Sequence, residues 1–150
     1  MDIDDAIKSI HKMGITTKTV INIMYTSRII EESLHAIFKP YDLSMQQYNV
    51  LRILRGQKGN PANLSTIQER MVDKSSNTTR LVDKLIKKGW TKRNVCAENR
   101  RKVEIFITET GLEILKTLDP ITEAHNESIV ASLNQTELEQ LNHLLNNLRK

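Results

Sequence analysis

SSNTTRLVDKLIKKGWTKRNVCAENRRKVEIFI, residues 75–107, holds most of the structural information in this chain. In its first half Leu81, Val82, Leu85 and Ile86 recur at the i, i+4 spacing of one helix face, and Ser76, Asn77, Thr79, Arg80 and Lys84 fall on the other. Ser75 is placed to cap this helix, Lys87 and Lys88 complement the dipole at its far end, and Gly89 suits the position just beyond. In the second half the period changes to two. Val103, Ile105 and Ile107 alternate with Lys102, Glu104 and Phe106, so the spacing predicts a strand, with TKRNV (91–95) as its hairpin partner across the basic tip ENRR (98–101). A polar helix followed by a charged hairpin outlines a reading helix with a wing beside it.

Charge points the same way. Lys74 to Lys102 carries ten Lys or Arg and two acids, Asp83 and Glu98, a net +8 in 29 residues. The 150-residue chain is only +4, so the other 121 residues sum to −4. A basic run alone is usually a solvated face, but one coinciding with a helix and hairpin is the footprint of a polyphosphate partner. The side-chain types suit double-stranded DNA. Arg can take guanine O6 and N7 together, Asn can take adenine N6 and N7, and Ser or Thr serves base or phosphate. Lys84, Lys87 and Lys88 suit the backbone, and Arg100, Arg101 and Lys102 at the wing tip suit a minor groove, where Arg senses width. One Trp, two Phe and three Tyr are too few for the stacking platforms of single-strand binders.

Working outward, helical periodicity dominates. Val20, Ile23, Ile30, Leu34 and Ile37 predict a helix over Thr17 to Phe38, stopped by Pro40 and preceded by a shorter amphipathic piece from Ile3 to Met13 that ends at Gly14. Ser44 caps a helix carrying Tyr48, Val50, Leu51 and Leu54 to Gly56; GQKGNP (56–61) is turn chemistry; Asn63 caps a short helix with Leu64, Ile67 and Met71. After the hairpin, Thr108 caps a region with Leu112, Leu115 and Leu118, where Pro120 permits a bend before Ile121 and Ile129. Asn134 to Glu137 reads as a capping box before Leu138, Leu141, Leu145 and Leu148. The fold class is therefore mainly α with a small β-hairpin wing, a winged helix-turn-helix flanked by N- and C-terminal helices. The flanking apolar stripes are longer than the central module can cover, so a second copy of the chain is the expected cover.

Several classes fall away. No stretch approaches the roughly 18 apolar residues of a membrane span, and MDIDDAIK at the start is acidic where a secretory signal is basic, so a cytoplasmic location is expected. Cys96 is the only cysteine, which excludes an intrachain disulfide, and His11, His35, His125 and His143 lack metal-ligand spacing, so no metal or cofactor is expected. Cys96 near the wing reads as a plain cysteine before a redox sensor. There is no Gly-rich phosphate loop, no nucleophile motif and no carboxylate–histidine cluster, so an enzyme is the weakest reading. The alternative to a regulator is a winged-helix protein-interaction module without its own operator.

With these residues in place, the chain resembles the MarR family of bacterial transcriptional regulators. LSMQQYNVLRIL (43–54) is similar to the family's second helix, TTRLVDKLIKKGW (78–90) to its recognition helix, ENRRKVEIFITETG (98–111) to its wing, and SLNQTELEQLNHLLNNL (132–148) to its terminal dimerisation helix. Two positions depart: the turn Val72-Asp73-Lys74 lacks the Gly often found there, and Asn99 stands where the family usually has an Asp paired with the wing Arg, here Arg101. The resemblance implies a homodimer that binds a pseudo-palindromic operator and often releases it when a small ligand binds, a small aromatic effector being the candidate. The effector pocket would lie between winged lobe and dimer helices, lined from regions such as Thr17 to Phe38 and Leu43 to Leu54. Residues 1–150 read as one domain, with 1–38 and 109–150 as the dimerisation region and 41–108 as the DNA-binding region. The candidate DNA-binding residues are Ser75, Ser76, Asn77, Thr79, Arg80, Lys84 and Lys87 from the helix over 75–88, with Arg93, Asn99, Arg100, Arg101 and Lys102 from the wing over 92–107.

Overall fold

The computed structural model describes residues 1–99 and 101–150; Arg100, a candidate of the wing tip, lies outside the described residues. The described residues form seven α-helices and one antiparallel hairpin, in the order α1 (Ile3–Ala6), α2 (Ile15–Phe38), α3 (Met45–Gly56), α4 (Leu64–Arg70), α5 (Thr78–Lys87), β1 (Thr91–Val95), β2 (Val103–Ile107), α6 (Glu109–Val130) and α7 (Gln135–Leu148). A 3-10 turn, Lys39–Tyr41, follows α2 and carries Pro40. The mainly helical winged helix-turn-helix expected from the sequence is the observed architecture.

Capping sets most boundaries. Ser44 and Gln47 form the reciprocal box that starts α3, Asn134 and Glu137 form another at α7, and Asn63 and Thr108 accept from backbone N–H groups at α4 and α6. Two expectations are corrected. The piece expected over Ile3 to Met13 is helical only to Ala6, because Lys8 takes a left-handed φ of 52° that a helix cannot continue through. The reading helix starts at Thr78 with Asn77 as its cap, not Ser75: the Asn77 carboxamide oxygen accepts from Arg80 N, whereas Ser75 is turned back onto Asp73. Pro120 sits inside a continuous α6.

The core lies between α2, α3, α4, α5, β2 and α6, around Phe38, Leu51, Leu54, Ile67, Leu85, Ile105 and Leu115. β1 and β2 pair from Thr91↔Ile107 to Val95↔Val103. Ile105 also exchanges both backbone hydrogen bonds with Ala62, at 3.0 and 2.8 Å, so the loop before α4 forms a third rung that sequence periodicity did not suggest. The exit of α5 is locked onto the start of α6. Trp90 N donates to Leu85 O and Gly89 N to Ile86 O, with Gly89 at φ 76°, which closes the helix with a left-handed residue. Thr108 then donates its hydroxyl to Gly89 O at 2.6 Å and accepts from Gly111 N at 3.1 Å. By contrast α7 buries none of its residues, and α2 buries only Phe38.

Candidate nucleic-acid interface

On α5 the division between faces is complete. Val82 and Leu85 are buried, Leu81 and Ile86 are half-buried against the core, and Thr79, Arg80, Asp83, Lys84 and Lys87 are exposed. Thr78 belongs to the inner face, where its hydroxyl bonds to Gln68 of α4. The N-terminal approach is more ordered than free side chains would be. Asp73 accepts from Ser75 N at 2.9 Å and from Ser75 Oγ at 2.6 Å, and Gln46 of α3 donates to its other oxygen at 3.3 Å. Those bonds, the Ser75 hydroxyl first, hold the Asp73 carboxyl below the usual carboxylate range. Asn49 accepts from Val72 N at 2.9 Å, so two α3 side chains pin this turn. Ser76, half-buried, keeps a hydroxyl with no partner among the described residues. A shallow concavity lined by Ser75, Ser76, Asn77, Arg80 and Lys84 brings the N-terminal candidates together.

The wing supplies the second part. Lys92 of β1 stacks its ammonium 5.3 Å from the Phe106 ring, and Arg93 pairs with Asp83 of α5, which ties hairpin to helix. Asn99, where the family usually has an Asp paired with the wing Arg, takes the Arg101 backbone N–H on its side-chain oxygen at 3.1 Å, and its carbonyl takes Lys102 N. Arg101 and Lys102 are exposed. Cys96 is half-buried and free. Among the described residues no three His, Cys, Asp or Glu side chains gather as a metal site, and no helix is long and apolar enough to cross a membrane.

Sequence reasoning missed two features. The Gln46–Asp73–Ser75 and Asn49–Val72 contacts join residues too far apart in sequence for periodicity to pair. The second is the share that the turn itself and α6 take in an apolar cleft of about 240 Å³ behind that turn. The cleft takes Leu34 and Phe38 from α2 and Met45, Tyr48 and Arg52 from α3, as the two expected regions suggest, but also Val72 and Asp73 from the turn and Thr122 and Asn126 from α6. Tyr48 and Thr122 hydroxyls meet at 3.1 Å on its wall, and the Arg52 guanidinium lies 5.8 Å from the Tyr48 ring centroid.

A helix-turn-helix whose second helix is polar on its outer face, with a basic wing bonded to it, defines a DNA-binding transcription regulator. Comparison with known proteins fixes the lineage. Residues 43–103 match the model of the MarR family. Over 130 residues the chain is 30% identical to the HTH-type transcriptional regulator PecS of Dickeya dadantii, covering 83% of this chain and 75% of PecS. The chain belongs to the MarR family. Among solved structures, an organohalide-sensing transcriptional regulator in its 2,4-dichlorophenol-bound form superposes with a TM-score of 0.83 at 20% identity, over 92% of this chain and 81% of that one. A mutant MarR from E. coli complexed with operator DNA superposes at 0.74 with 21% identity, over 84% and 89%. These two likenesses establish the shared fold.

Proposed function

We propose that the chain is a ligand-responsive, homodimeric repressor that binds a pseudo-palindromic operator in the cytoplasm. The observation that carries this reading is the grouping of exposed, mostly unpaired cations on one helix and its attached wing. In this reading Arg80 and Thr79 meet base edges from α5, and Asn77 caps the helix at the groove floor with its amide N–H₂ still free to donate. Ser75, Ser76, Lys84 and Lys87 hold phosphates, while Asn99, Arg101 and Lys102, with Arg100, serve the flanking minor groove; Arg93, paired with Asp83 in the free protein, lies beside the same groove.

Residues 41–108 form the DNA-binding region, and 1–38 with 109–150 the dimerisation region. Support for pairing comes from apolar surface that a monomer leaves in water. Ile15, Val20 and Met24 on α2 and Leu141, Leu144 and Leu148 on α7 are 41–77% exposed. Covering one such leucine gains about 1.5–3 kcal/mol, and two-fold symmetry counts each twice. Leu144→Asp should therefore shift the protein to monomer in sedimentation and lose operator binding with it.

The cleft of about 240 Å³ suits a small, flat, mainly apolar molecule such as an aromatic effector. Its wall includes Val72 and Asp73, whose bonds to Asn49 and Gln46 hold the approach to α5. A ligand that takes Gln46 away from Asp73 would untether the Asp73–Ser75 turn from α3 and let the start of the reading helix shift. Gel shift against the chain's own promoter region, with scrambled competitor and at low and moderate salt, tests the central reading; equal affinity for both duplexes would overturn it. Thermal-shift screening of small aromatic acids, with and without operator, tests the effector.

A further inference from the structure

The C-terminal end of α5 carries a second group of cations. Lys84, Lys87 and Lys88 share an open groove with Lys39 and His35 at the end of α2, and its remaining wall is Asp42, Leu43, Ser44 and Gln47 at the start of α3. Four ammonium groups face a single carboxylate there. Among the described residues Lys39, Lys84 and Lys87 form no salt bridge, and Lys88 reaches Asp42 only at 3.5 Å. That contact is long for a charge-assisted hydrogen bond, and the Asp42 side chain is fully in water. The Lys88 ammonium is itself buried without a hydrogen-bond partner, 4.8 Å from the Trp90 ring centroid. The positive end of the 12-residue helix α3 adds to the same field. Like charges collected in a concavity destabilise one another, and a bound anion removes that cost.

The geometry points to a phosphate-binding groove between α2, α3 and the C-terminal half of α5. The chemistry calls for a tetrahedral phosphate oxyanion, and two sources can deliver it: the singly charged diesters of the bound duplex's backbone or a free phosphorylated small molecule. The duplex source rests on the DNA-binding reading; the groove itself does not. For the duplex, α5 is about 15 Å long at 1.5 Å per residue, comparable with the ~12 Å width of the major groove. With Ser76 and Arg80 at one wall, the lysines at the other end reach phosphates across the groove. Lys84 lines both concavities and joins the two tracts.

Trp90 is the only tryptophan and lies under the Lys88 ammonium, so its emission reports the groove. The full chain is titrated with inorganic pyrophosphate at constant ionic strength, and duplex binding is followed by anisotropy across salt concentrations. Both are repeated for Lys39→Gln, an exposed change that leaves the fold alone, and for Lys88→Gln. A saturable change in wild-type emission, weakened at least about tenfold in Lys39→Gln, supports the small-molecule source. An inert pyrophosphate titration with a log–log salt slope shallower by about 1.8 per dimer, from 0.9 per phosphate, supports the duplex source. Saturable pyrophosphate binding by a protein that ignores duplex DNA supports the groove and sinks the DNA reading. Unresponsive Trp90 emission, together with an unchanged or absent salt slope in both variants, overturns the groove.

Discussion

Asp83 is the one acid on the outer face of α5, flanked by Arg80, Lys84 and Lys87, and its carboxylate pairs with Arg93 of β1. Replacing it as Asp83→Asn keeps the volume, removes one negative charge per protomer and releases one guanidinium. The pair adds little to folding, since its side chains are 35% and 49% exposed, and such ion pairs are worth about 0–1 kcal/mol. Its effect on DNA is larger. If each freed Arg93 neutralises one more phosphate, a dimer gains two contacts and the slope of log K against log salt steepens by about 1.8. Between 50 and 200 mM salt that adds about a tenfold loss of affinity beyond the three to four orders expected of a dimer holding roughly six to eight phosphates. Below 50 mM the variant should bind random duplex more tightly than wild type, and its operator preference should narrow. Fluorescence anisotropy with labelled operator and random duplexes at five or so salt concentrations measures both quantities, with thermal melts confirming an intact fold. A shallower slope with weaker binding at every salt would refute the reasoning: Asp83 would then be the brace that aims the wing, and its pairing with Arg93 the useful state.

Arg80→Ala should cost on the order of 1–3 kcal/mol on operator and relax preference at one base pair per half-site, read by competition against single-base operator variants. Equal losses on operator and random DNA would remove its reading role. At Gly111 an added methyl would meet Trp90 O at 2.3 Å and Ile107 Cγ1 at 2.8 Å, so Gly111→Ala must push α6 off the α5 exit. Overpacking of that kind costs about 1–3 kcal/mol, visible as a fall of several degrees in melting temperature; an unchanged melt would show that the junction yields freely. Acid should loosen the turn before α5. Because the folded Asp73 carboxyl is held below its ordinary value, its contribution is complete above about pH 3.9 and is lost as pH falls through the lower folded value. NMR of the Ser75 and Ser76 amides should show that step in wild type and not in Asp73→Asn; an Asp73 titration at the ordinary carboxylate value would contradict it.

How much of this was legible in the residues depends on the range over which each feature is set. Helix and strand periods, the caps at Ser44, Asn63, Thr108 and Asn134, and the Gly89 exit are local choices within a few residues, and the sequence reading located them. The start of α5 was misplaced for a local reason as well. Ser75, Ser76 and Asn77 can all cap, and the competition was settled by Asp73, which takes both Ser75 donors and leaves Asn77 to the helix. Asp73 is in turn held by Gln46, 27 positions earlier, a pairing that no window of sequence displays. Separation along the chain also hid the Ala62–Ile105 rung, the Arg93–Asp83 tie and the groove that Lys39 and Lys88 both line.

That pattern bears on which residues to trust as readers of DNA. The charged face of α5 follows from helical period alone, so Arg80, Lys84 and Lys87 stand wherever the helix begins within a residue or two. Ser75, Ser76 and Asn77 do not. With the cap at Asn77, its carboxamide oxygen is spent on Arg80 N and it can no longer take adenine N6 and N7 together without uncapping the helix. Losing such a cap costs about 0.5–2 kcal/mol, comparable with the 1–3 kcal/mol that one bidentate base contact returns. The balance makes Asn77 a positioning residue for α5 and leaves Arg80, one turn further in, as the side chain with both a free planar donor set and a rigid helix behind it.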